Sequence, residues 1–238
     1  MEVNDEADGS DAGVLWRTST SPRRGPKPRY TLDGIAAAAM SIADEDGLEA
    51  VTMQQVAARL GTTKMALYRY LPGRSDLDAV MLDRALGPSP AVEPGDWAEG
   101  LTVWTRTLFT RALAHPWAVE LAQRPHLPGP EEMTWFETGL EATASLPLES
   151  GERLDLLALL SGHALSLVRQ RVGSATPEED LAGRTAAIFA HHRERYPRTA
   201  SAFVEAGREG SRDAALDFGV ERILAGTAAL VAERRSAD

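Results

Sequence analysis

The segment from residue 52 to residue 71 carries the residue types whose spacing most clearly indicates a chemical task. Thr52 and Gln55 form a capping-box pair that begins one short helix, and Gly61 ends that helix in a tight turn before a second. Ala57 is small where two such helices would approach most closely. Because a pair of this kind crosses steeply, the N-terminal residues of its second helix are free to enter a major groove of DNA. The segment therefore predicts a helix-turn-helix.

A run of basic residues precedes this segment, although the chain of 238 residues has a formal net charge of −10. Residues 1–14 contain five acidic residues and no Lys or Arg, whereas residues 15–87 have a small positive balance. DNA affinity depends largely on neutralising phosphates, so only this second segment favours a nucleic-acid partner. The run predicts an extended basic arm, and a merely solvated tail is the alternative. Its members are Arg17, Arg23, Arg24, Lys27 and Arg29.

Catalytic and metal-binding patterns are not found. The chain has no cysteine, which excludes disulfides, thiolate zinc sites and cysteine nucleophiles, and its five histidines lack metal-ligand spacing. There is no HExxH, no GxSxG, no phosphate-binding glycine loop and no paired carboxylates tied to a pocket. An enzyme remains the competing class, because His163 lies in a large helical region. We expect no enzymatic activity, no cofactor and no metal.

The remaining pattern predicts an all-α protein. Thr31 is a plausible N-cap, Gly47 a helix stop and Ser75 a second N-cap. Prolines between residues 88 and 95 indicate a division between domains. We therefore expect a flexible N-terminal arm over 1–30, a DNA-binding domain over 31–87 and a helical domain over 88–238. The predicted helices cover 31–46, 52–60, 62–71, 75–86, 97–115, 117–123, 130–145, 150–172, 178–195, 199–206 and 212–234.

Three groups of residues match a known family pattern. They are Gly47, Leu48, Val51 and Thr52, then Val56, Ala57, Leu60, Gly61 and Thr63, then Leu67, Tyr68, Tyr70 and Leu71. Residues 31–87 thus resemble the DNA-binding domain of the TetR (tetracycline repressor) family of transcriptional regulators. The Ala-His-Pro-Trp stretch at 114–117 and the basic arm are similar to the subgroup with a tetracycline-repressor-like C-terminal domain. Departures at Thr62, Tyr70 and Arg74 affect the expected operator sequence, not the fold.

The resemblance implies a set of DNA contacts. Lys64 could reach a guanine edge or a phosphate, and Met65 could touch a thymine methyl group. Each residue also has a structural alternative, since the tyrosines could be core aromatics and Lys64 and Arg74 ordinary solvated charges. The resemblance implies contacts by Thr62, Thr63, Lys64, Met65 and Tyr68. Position and chemistry add the candidates Thr52, Gln54, Tyr70 and Arg74, with Arg23, Arg24, Lys27 and Arg29 of the arm.

The resemblance also implies a homodimer that binds a palindromic operator and is released by a small-molecule effector. Helices 150–172 and 212–234 should form the two-fold interface, with an intramolecular core as the alternative. We expect its residues to be Leu157, Leu160, Leu165, Val168, Val220, Ile223 and Leu224. Aromatic residues suit an organic ligand, although plain core packing is the alternative for each. The candidates are Trp104, Trp117, Trp135, Phe136 and His163.

The expected location is the bacterial cytoplasm. No apolar run approaches the roughly 20 residues that span a bilayer, and the N-terminus is acidic where a signal peptide would be basic. We therefore expect double-stranded DNA, a second copy and an effector as partners, and no membrane. The sequence is compatible with a regulator that has no effector, and with an activator as well as a repressor.

Overall fold

The computed structural model describes residues 13–16, 29–92, 95–172, 177–209 and 214–237. Over these residues the structure is helical and contains no strand, which confirms the predicted all-α class. Two short 3-10 turns cover Val14–Trp16 and Leu48–Ala50. The α-helices of the described residues are α1 Leu32–Asp46, α2 Met53–Arg59, α3 Lys64–Leu67, α4 Arg74–Leu86, α5 Trp97–Ala114, α6 Ala118–Gln123, α7 Pro130–Ala142, α8 Ser150–Arg171, α9 Pro177–His192, α10 Pro197–Glu209 and α11 Ala214–Ala237.

The predicted signals at the ends of the first helices are mostly confirmed. Thr31 accepts a hydrogen bond from Gly34 N at 3.0 Å, and Thr52 accepts one from Gln55 N at 3.1 Å. Gly47 ends α1 with φ 86°, a conformation that favours glycine. The expected cap at Ser75 is wrong, because α4 already begins at Arg74 and its N-cap is the extended Gly73.

The chain divides into two compact units. Unit 1 comprises the described residues of Met1–Ala91 and of Trp117–Thr138, and unit 2 comprises those of Val92–Pro116 and of Gly139–Asp238. The first break lies close to the boundary expected at residue 88. The expected C-terminal domain nevertheless loses residues 117–138 to unit 1, because α6 packs against α4.

The core of unit 1 joins the four N-terminal helices. Ile35 of α1, Val56 of α2, Leu67 of α3 and Leu77 of α4 are each fully buried. Fully burying an aliphatic side chain of this size contributes about 1.5 to 3 kcal/mol, so these contacts fix the angles between short helices that could not persist alone. Trp117 packs on the same core and donates its indole N–H to Asp44 at 2.6 Å.

One part of the expected flexible arm packs against unit 1. Val14 is only 7% exposed and belongs to the same core, and the turn Val14–Trp16 contacts α4. The expectation that all of residues 1–30 lie free of any core is therefore wrong for 13–16. A single turn of three apolar residues has no helical period, so the spacing of apolar residues does not indicate it.

The core of unit 2 is built on α8, which packs against α5 and α11. Leu101, Leu157 and Leu160 are buried there. Gly139 allows a close approach, because a Cβ on it would lie 2.6 Å from a methyl group of Leu157. Separately, α9 packs on α10, with the rings of Phe189 and Phe203 at a centroid distance of 5.6 Å.

Candidate nucleic-acid interface

Helix α3 is a single turn that follows the bend at Gly61. Gly61 has φ 62°, and a Cβ built on it meets nothing within 4 Å, so the positive φ alone explains the glycine. Thr63 is the N-cap of α3 and its hydroxyl accepts a hydrogen bond from Ala66 N at 3.3 Å. The helix ends at Leu67, earlier than the expected end at residue 71, and a turn continues to Tyr70.

The two faces of α3 differ sharply in exposure. Leu67 is completely buried against α2, and Leu71 beyond the helix is buried as well. Lys64 is exposed, and Met65 is 74% exposed, the highest value among the large exposed hydrophobic side chains of the described residues. Thr63 is exposed and Thr62 half-buried. The exposed residues thus include three of the predicted base-contacting or phosphate-contacting side chains.

Tyr68 packs on the core and also supports a predicted DNA contact, while its own contact with DNA stays a prediction. Its ring is half-buried and packs against the core of unit 1. The ammonium Nζ of Lys64 lies 5.4 Å from the centre of that ring, within the range of a cation–π contact. The ring therefore positions the lysine at the open side of α3.

Tyr70 belongs to an internal aromatic pair. Its ring meets that of Tyr30 edge-on, with centroids 6.5 Å apart and an interplanar angle of 87°. The Tyr30 hydroxyl donates to Leu60 O at 3.4 Å, so the pair braces the end of α2. This arrangement favours the core interpretation of Tyr70 over DNA contact.

Arg74 was expected to clamp a phosphate, and the structure gives its guanidinium other partners. Its Nε donates to Asp78 at 2.6 Å, Nη1 to Val51 O and Nη2 to Leu48 O at 3.4 Å. These two carbonyls belong to the Leu48–Ala50 turn and to the residue that follows it. Arg74 therefore fastens the segment that leads into α2, which favours a structural role, and its contact with a phosphate stays a prediction.

The other predicted residues of the interface are in part described. Thr52 and Gln54 are exposed at the start of α2. Arg29 is exposed, with its guanidinium carbon 5.6 Å from the centre of the Tyr30 ring. Arg23, Arg24 and Lys27, together with Arg17, lie outside the described residues.

An ion pair fixes α2 against α1. Arg59 donates to both carboxylate oxygens of Glu45, at 2.9 and 2.8 Å, and to the hydroxyl of Ser41 at 2.9 Å. The hydrogen bonds from Arg59 and then from Ser41 lower the pKa of Glu45 from 4.5 to about 2. The pair is solvent-exposed, so its function is to orient α2 more than to add stability.

Comparison with known proteins connects this geometry to a family. The model described as "Bacterial regulatory proteins, tetR family" matches residues 35–77, which include α2, the Gly61 bend and α3. The model described as "Tetracyclin repressor-like, C-terminal domain" matches residues 89–231. The chain belongs to the TetR family. It is therefore a DNA-binding transcriptional regulator, and the competing class of an enzyme is set aside.

Relatives support the same assignment over nearly the whole chain. The HTH-type transcriptional repressor DrrR1 of Streptomyces coeruleorubidus is 35% identical over 235 residues, covering 93% of this chain and 86% of that protein. An HTH-type transcriptional regulator of Saccharopolyspora erythraea is 28% identical, with 94% of each chain covered. Crystal structures of the Streptomyces coelicolor TetR family protein ActR, in complex with (S)-DNPA and with actinorhodin, each superpose with a TM-score of 0.71 at 26% identity. The first covers 86% of this chain and 100% of ActR, the second 86% and 99%.

The expected dimer residues of this TetR-family chain are mostly interior. Leu157, Leu160, Val168, Val220 and Leu224 are between 0% and 7% exposed within the single chain, whereas Leu165 and Ile223 are half-buried. The five buried residues pack within unit 2, which favours the alternative of an intramolecular core for them. Because α8 is leucine-rich on all sides, the sequence did not show which leucines face inward. The outward faces instead carry Leu154, Ala158, Leu159, Gly162 and Ser166 on α8, and Phe218, Arg222, Ala225, Gly226 and Ala229 on α11.

The structure distributes the expected ligand-lining residues over both units. Trp117, Trp135 and Phe136 belong to unit 1, and Trp104 and His163 to unit 2. Trp135 donates its indole N–H to Gly87 O at 2.9 Å, as Trp117 does to Asp44, so both favour the structural alternative. His163 Nε2 lies 3.1 Å from Ala215 O, and a Cβ on Gly219 would clash with its ring. That histidine therefore joins α8 to α11.

Unit 1 contains a buried carboxylate that the sequence patterns did not indicate. Asp83 on α4 is 1% exposed and accepts a hydrogen bond from Glu131 N in the first turn of α7 at 2.9 Å. Arg84 donates to its other oxygen at 2.7 Å, and burial raises the pKa of Asp83. Gly129 is required beside it, since a Cβ there would overlap the carboxylate. The signal available in the sequence was an acidic residue three positions after Val80, on the buried side of α4.

Proposed function

We propose that this chain binds an inverted-repeat operator as a homodimer and represses transcription until a small-molecule effector releases it. The exposed Lys64–Met65 surface above the buried Leu67 carries the proposal, because it lies within the matched family segment. A bacterial cytoplasmic location accompanies this function, since the DNA it regulates is there. Repression is favoured over activation by the relative DrrR1, which is named a repressor.

Base reading is assigned to the start of α3. A solvent-exposed methionine costs free energy in the free protein, and contact with a thymine methyl group would recover it. Lys64 reaches either a guanine edge or a phosphate from its position over Tyr68. Thr62 and Thr63 supply hydroxyl groups beside them, and Thr52 and Gln54 contribute contacts from α2.

Dimerisation is assigned to the outward faces of α8 and α11. Leu159 and Phe218 are 60% and 65% exposed, and Leu154 is 46% exposed, so these faces leave large apolar side chains without cover in a single chain. A methyl group added at Gly162 or Gly226 would meet nothing within 4 Å, so these glycines leave room for the close approach of a second copy. A two-fold dimer supplies two copies of α3, as binding to two half-sites about 34 to 36 Å apart requires.

An effector site is assigned to unit 2, where Trp104 and His163 remain the candidates from the sequence. The ActR structures in complex with (S)-DNPA and with actinorhodin support a small-molecule effector for this chain. Binding of an effector would release DNA only if the effector binds the DNA-free conformation more tightly.

The test uses the DNA upstream of the gene. Fluorescence anisotropy should show that the full-length protein binds an inverted repeat there at least about 10³-fold more tightly than a shuffled sequence. Inserting half a helical turn, about 5 base pairs, between the half-sites should abolish the preference for the repeat over the shuffled sequence. The two half-sites would then face opposite sides of the duplex, and the two α3 helices of one dimer could not bind both. Equal binding of repeat, spaced repeat and shuffled DNA would overturn the proposal.

A further inference from the structure

The carboxylate of Asp78, near the start of α4, lies between two arginines from distant parts of unit 1. Its Oδ1 accepts a hydrogen bond from Nε of Arg74 at 2.6 Å, and its Oδ2 lies 3.6 Å from Nη1 of Arg124. The side chain of Asp78 is 17% exposed, so both pairs are partly shielded from solvent. Each carboxylate oxygen thus serves one guanidinium, and Asp78 joins α4 to the end of α6.

Arg74 connects this carboxylate to the segment that enters α2. Its Nη1 donates to Val51 O, and its Nη2 donates to Leu48 O at 3.4 Å. Val51 immediately precedes Thr52, the N-cap of α2. The donors of a guanidinium are fixed in one plane, so holding Nε on Asp78 also sets the directions of Nη1 and Nη2. Asp78 therefore determines how Arg74 meets the two carbonyls.

Arg124 is held in turn by groups around the C-terminal end of α6. It donates from Nη2 to Glu120, one helical turn earlier, and its backbone carbonyl lies 2.7 Å from Nδ1 of His126. The other ring nitrogen of His126 lies 2.9 Å from the carboxylate of Glu132 in α7. The position of Arg124 thus depends on α6 and on the start of α7, and Asp78 passes that position on to Arg74.

Stability and attraction to DNA are both poor explanations for the carboxylate of Asp78. The side chains of Arg74 and Arg124 are 37% and 42% exposed, and ion pairs with such exposed partners contribute little to the free energy of unfolding. An acidic side chain in a DNA-binding unit also repels phosphates. What the geometry does provide is orientation, because one carboxylate fixes two guanidinium groups relative to each other.

We propose that Asp78 is a positioning residue for DNA binding, which holds Arg74 against the carbonyls before α2, and that Arg124 holds Asp78 in place. The proposal rests on the DNA-binding function above and adds a residue that contacts no DNA itself. The side chains that this bridge orients are the exposed Thr52 and Gln54 at the start of α2. A displacement of Arg124 would therefore reach the DNA-contacting end of α2.

The test compares Asp78 with a neighbouring carboxylate. Asp78→Asn in the full chain should weaken operator binding about threefold to tenfold, because Arg74 loses its fixed orientation. Affinity for shuffled DNA should stay equal or rise by up to about twofold, since one negative charge is lost. Asp76→Asn is the matched control, because Asp76 is half-buried on the same helix and takes no part in either pair. It should not weaken binding to either DNA, whereas an effect of charge alone predicts the same result for both variants.

A double-mutant cycle tests the connection to α6. Arg124→Gln should lower the ratio of operator affinity to shuffled-DNA affinity about twofold to fivefold, and adding it to Asp78→Asn should cause little further loss. Arg124 is 42% exposed, so this variant should keep its fold even if Asp78→Asn does not. An unchanged ratio in Arg124→Gln, or losses that add in the double variant, would overturn the bridge.

Hydrogen exchange reports on the entry to α2 directly. The amide of Gln55, which donates to the Thr52 hydroxyl, should exchange faster in Asp78→Asn, while amides of α8 should not change. Equal operator affinities of Asp78→Asn and Asp76→Asn would overturn the proposal, and so would weaker operator binding without faster exchange at Gln55. Failure of the wild type to bind any operator would instead contradict the proposed function.

Discussion

Helix α3 and the pair α8 and α11 are both proposed contact surfaces, yet the sequence constrains them very differently. Around α3, Gly61 and the short spacing from Val56 to Leu67 leave one way to pack, so Lys64 and Met65 must face outward. On α8 apolar residues occur on every side, and several arrangements of inward and outward leucines fit the sequence equally well. A surface is therefore predictable where local geometry allows one arrangement, and not where a long helix is uniformly apolar.

The substitution with the largest expected effect on dimerisation and operator binding lies on α8. Leu159→Arg places a charge on the outward face, and we expect a monomer whose operator affinity falls at least about 100-fold, because two linked half-site contacts become one. Sedimentation velocity and anisotropy measure the two quantities. Leu181→Arg on α9, at a side chain that is 46% exposed, is the matched control and should stay dimeric. A dimeric Leu159→Arg protein would show that the interface lies elsewhere.

A smaller effect separates the inward from the outward leucines. Leu157→Ala should lower the free energy of unfolding by about 2 to 5 kcal/mol, since Leu157 is 1% exposed and packs on Gly139. Leu159→Ala should change the stability of one chain far less, and should instead weaken dimerisation. Thermal unfolding at several protein concentrations distinguishes them, because only a dimerisation effect depends on concentration. If both variants lost the same stability at every protein concentration, the assignment of Leu157 to the inward face and Leu159 to the outward face would be contradicted.

The smallest effect concerns the ion pair that orients α2. The pKa of Glu45 is lowered to about 2, so its stabilising contribution is complete above its ordinary pKa of 4.5 and is lost as the pH falls toward 2. The difference in Tm between wild type and Glu45→Gln should therefore be a small one at about pH 6 and should narrow at about pH 3.5. High salt should also narrow it. A difference that is constant across this range would show that Glu45 acts without its charge.

Sequence patterns were sufficient to predict which segments are helical and which side of α3 packs on the core, although the ends of α3 and the N-cap of α4 differ from the prediction. Capping residues such as Thr31 and Thr52, and glycine stops such as Gly47, act within one turn of the chain, so their effects can be read locally. The outward position of Met65 followed in the same way.

Contacts between residues distant in the chain could not be predicted in this way. Arg74 is bound to carbonyls more than twenty residues away, and Asp83 caps a helix that begins 47 positions later. Val14 packs on a core from within a segment that has no helical period. Each depends on where the fold brings another element, which spacing along the chain does not encode.

The central claim is that the start of α3 reads DNA, and comparing Lys64→Ala with Arg198→Ala tests it most directly. Each variant removes one exposed basic side chain, the first on α3 and the second on α10. Anisotropy titrations on the operator and on shuffled DNA should show that Lys64→Ala costs about 1 to 3 kcal/mol on the operator if it contacts a base, and affects both DNAs if it contacts a phosphate. Arg198→Ala should change neither. Wild-type affinity of Lys64→Ala for both DNAs, with normal folding, would contradict the account.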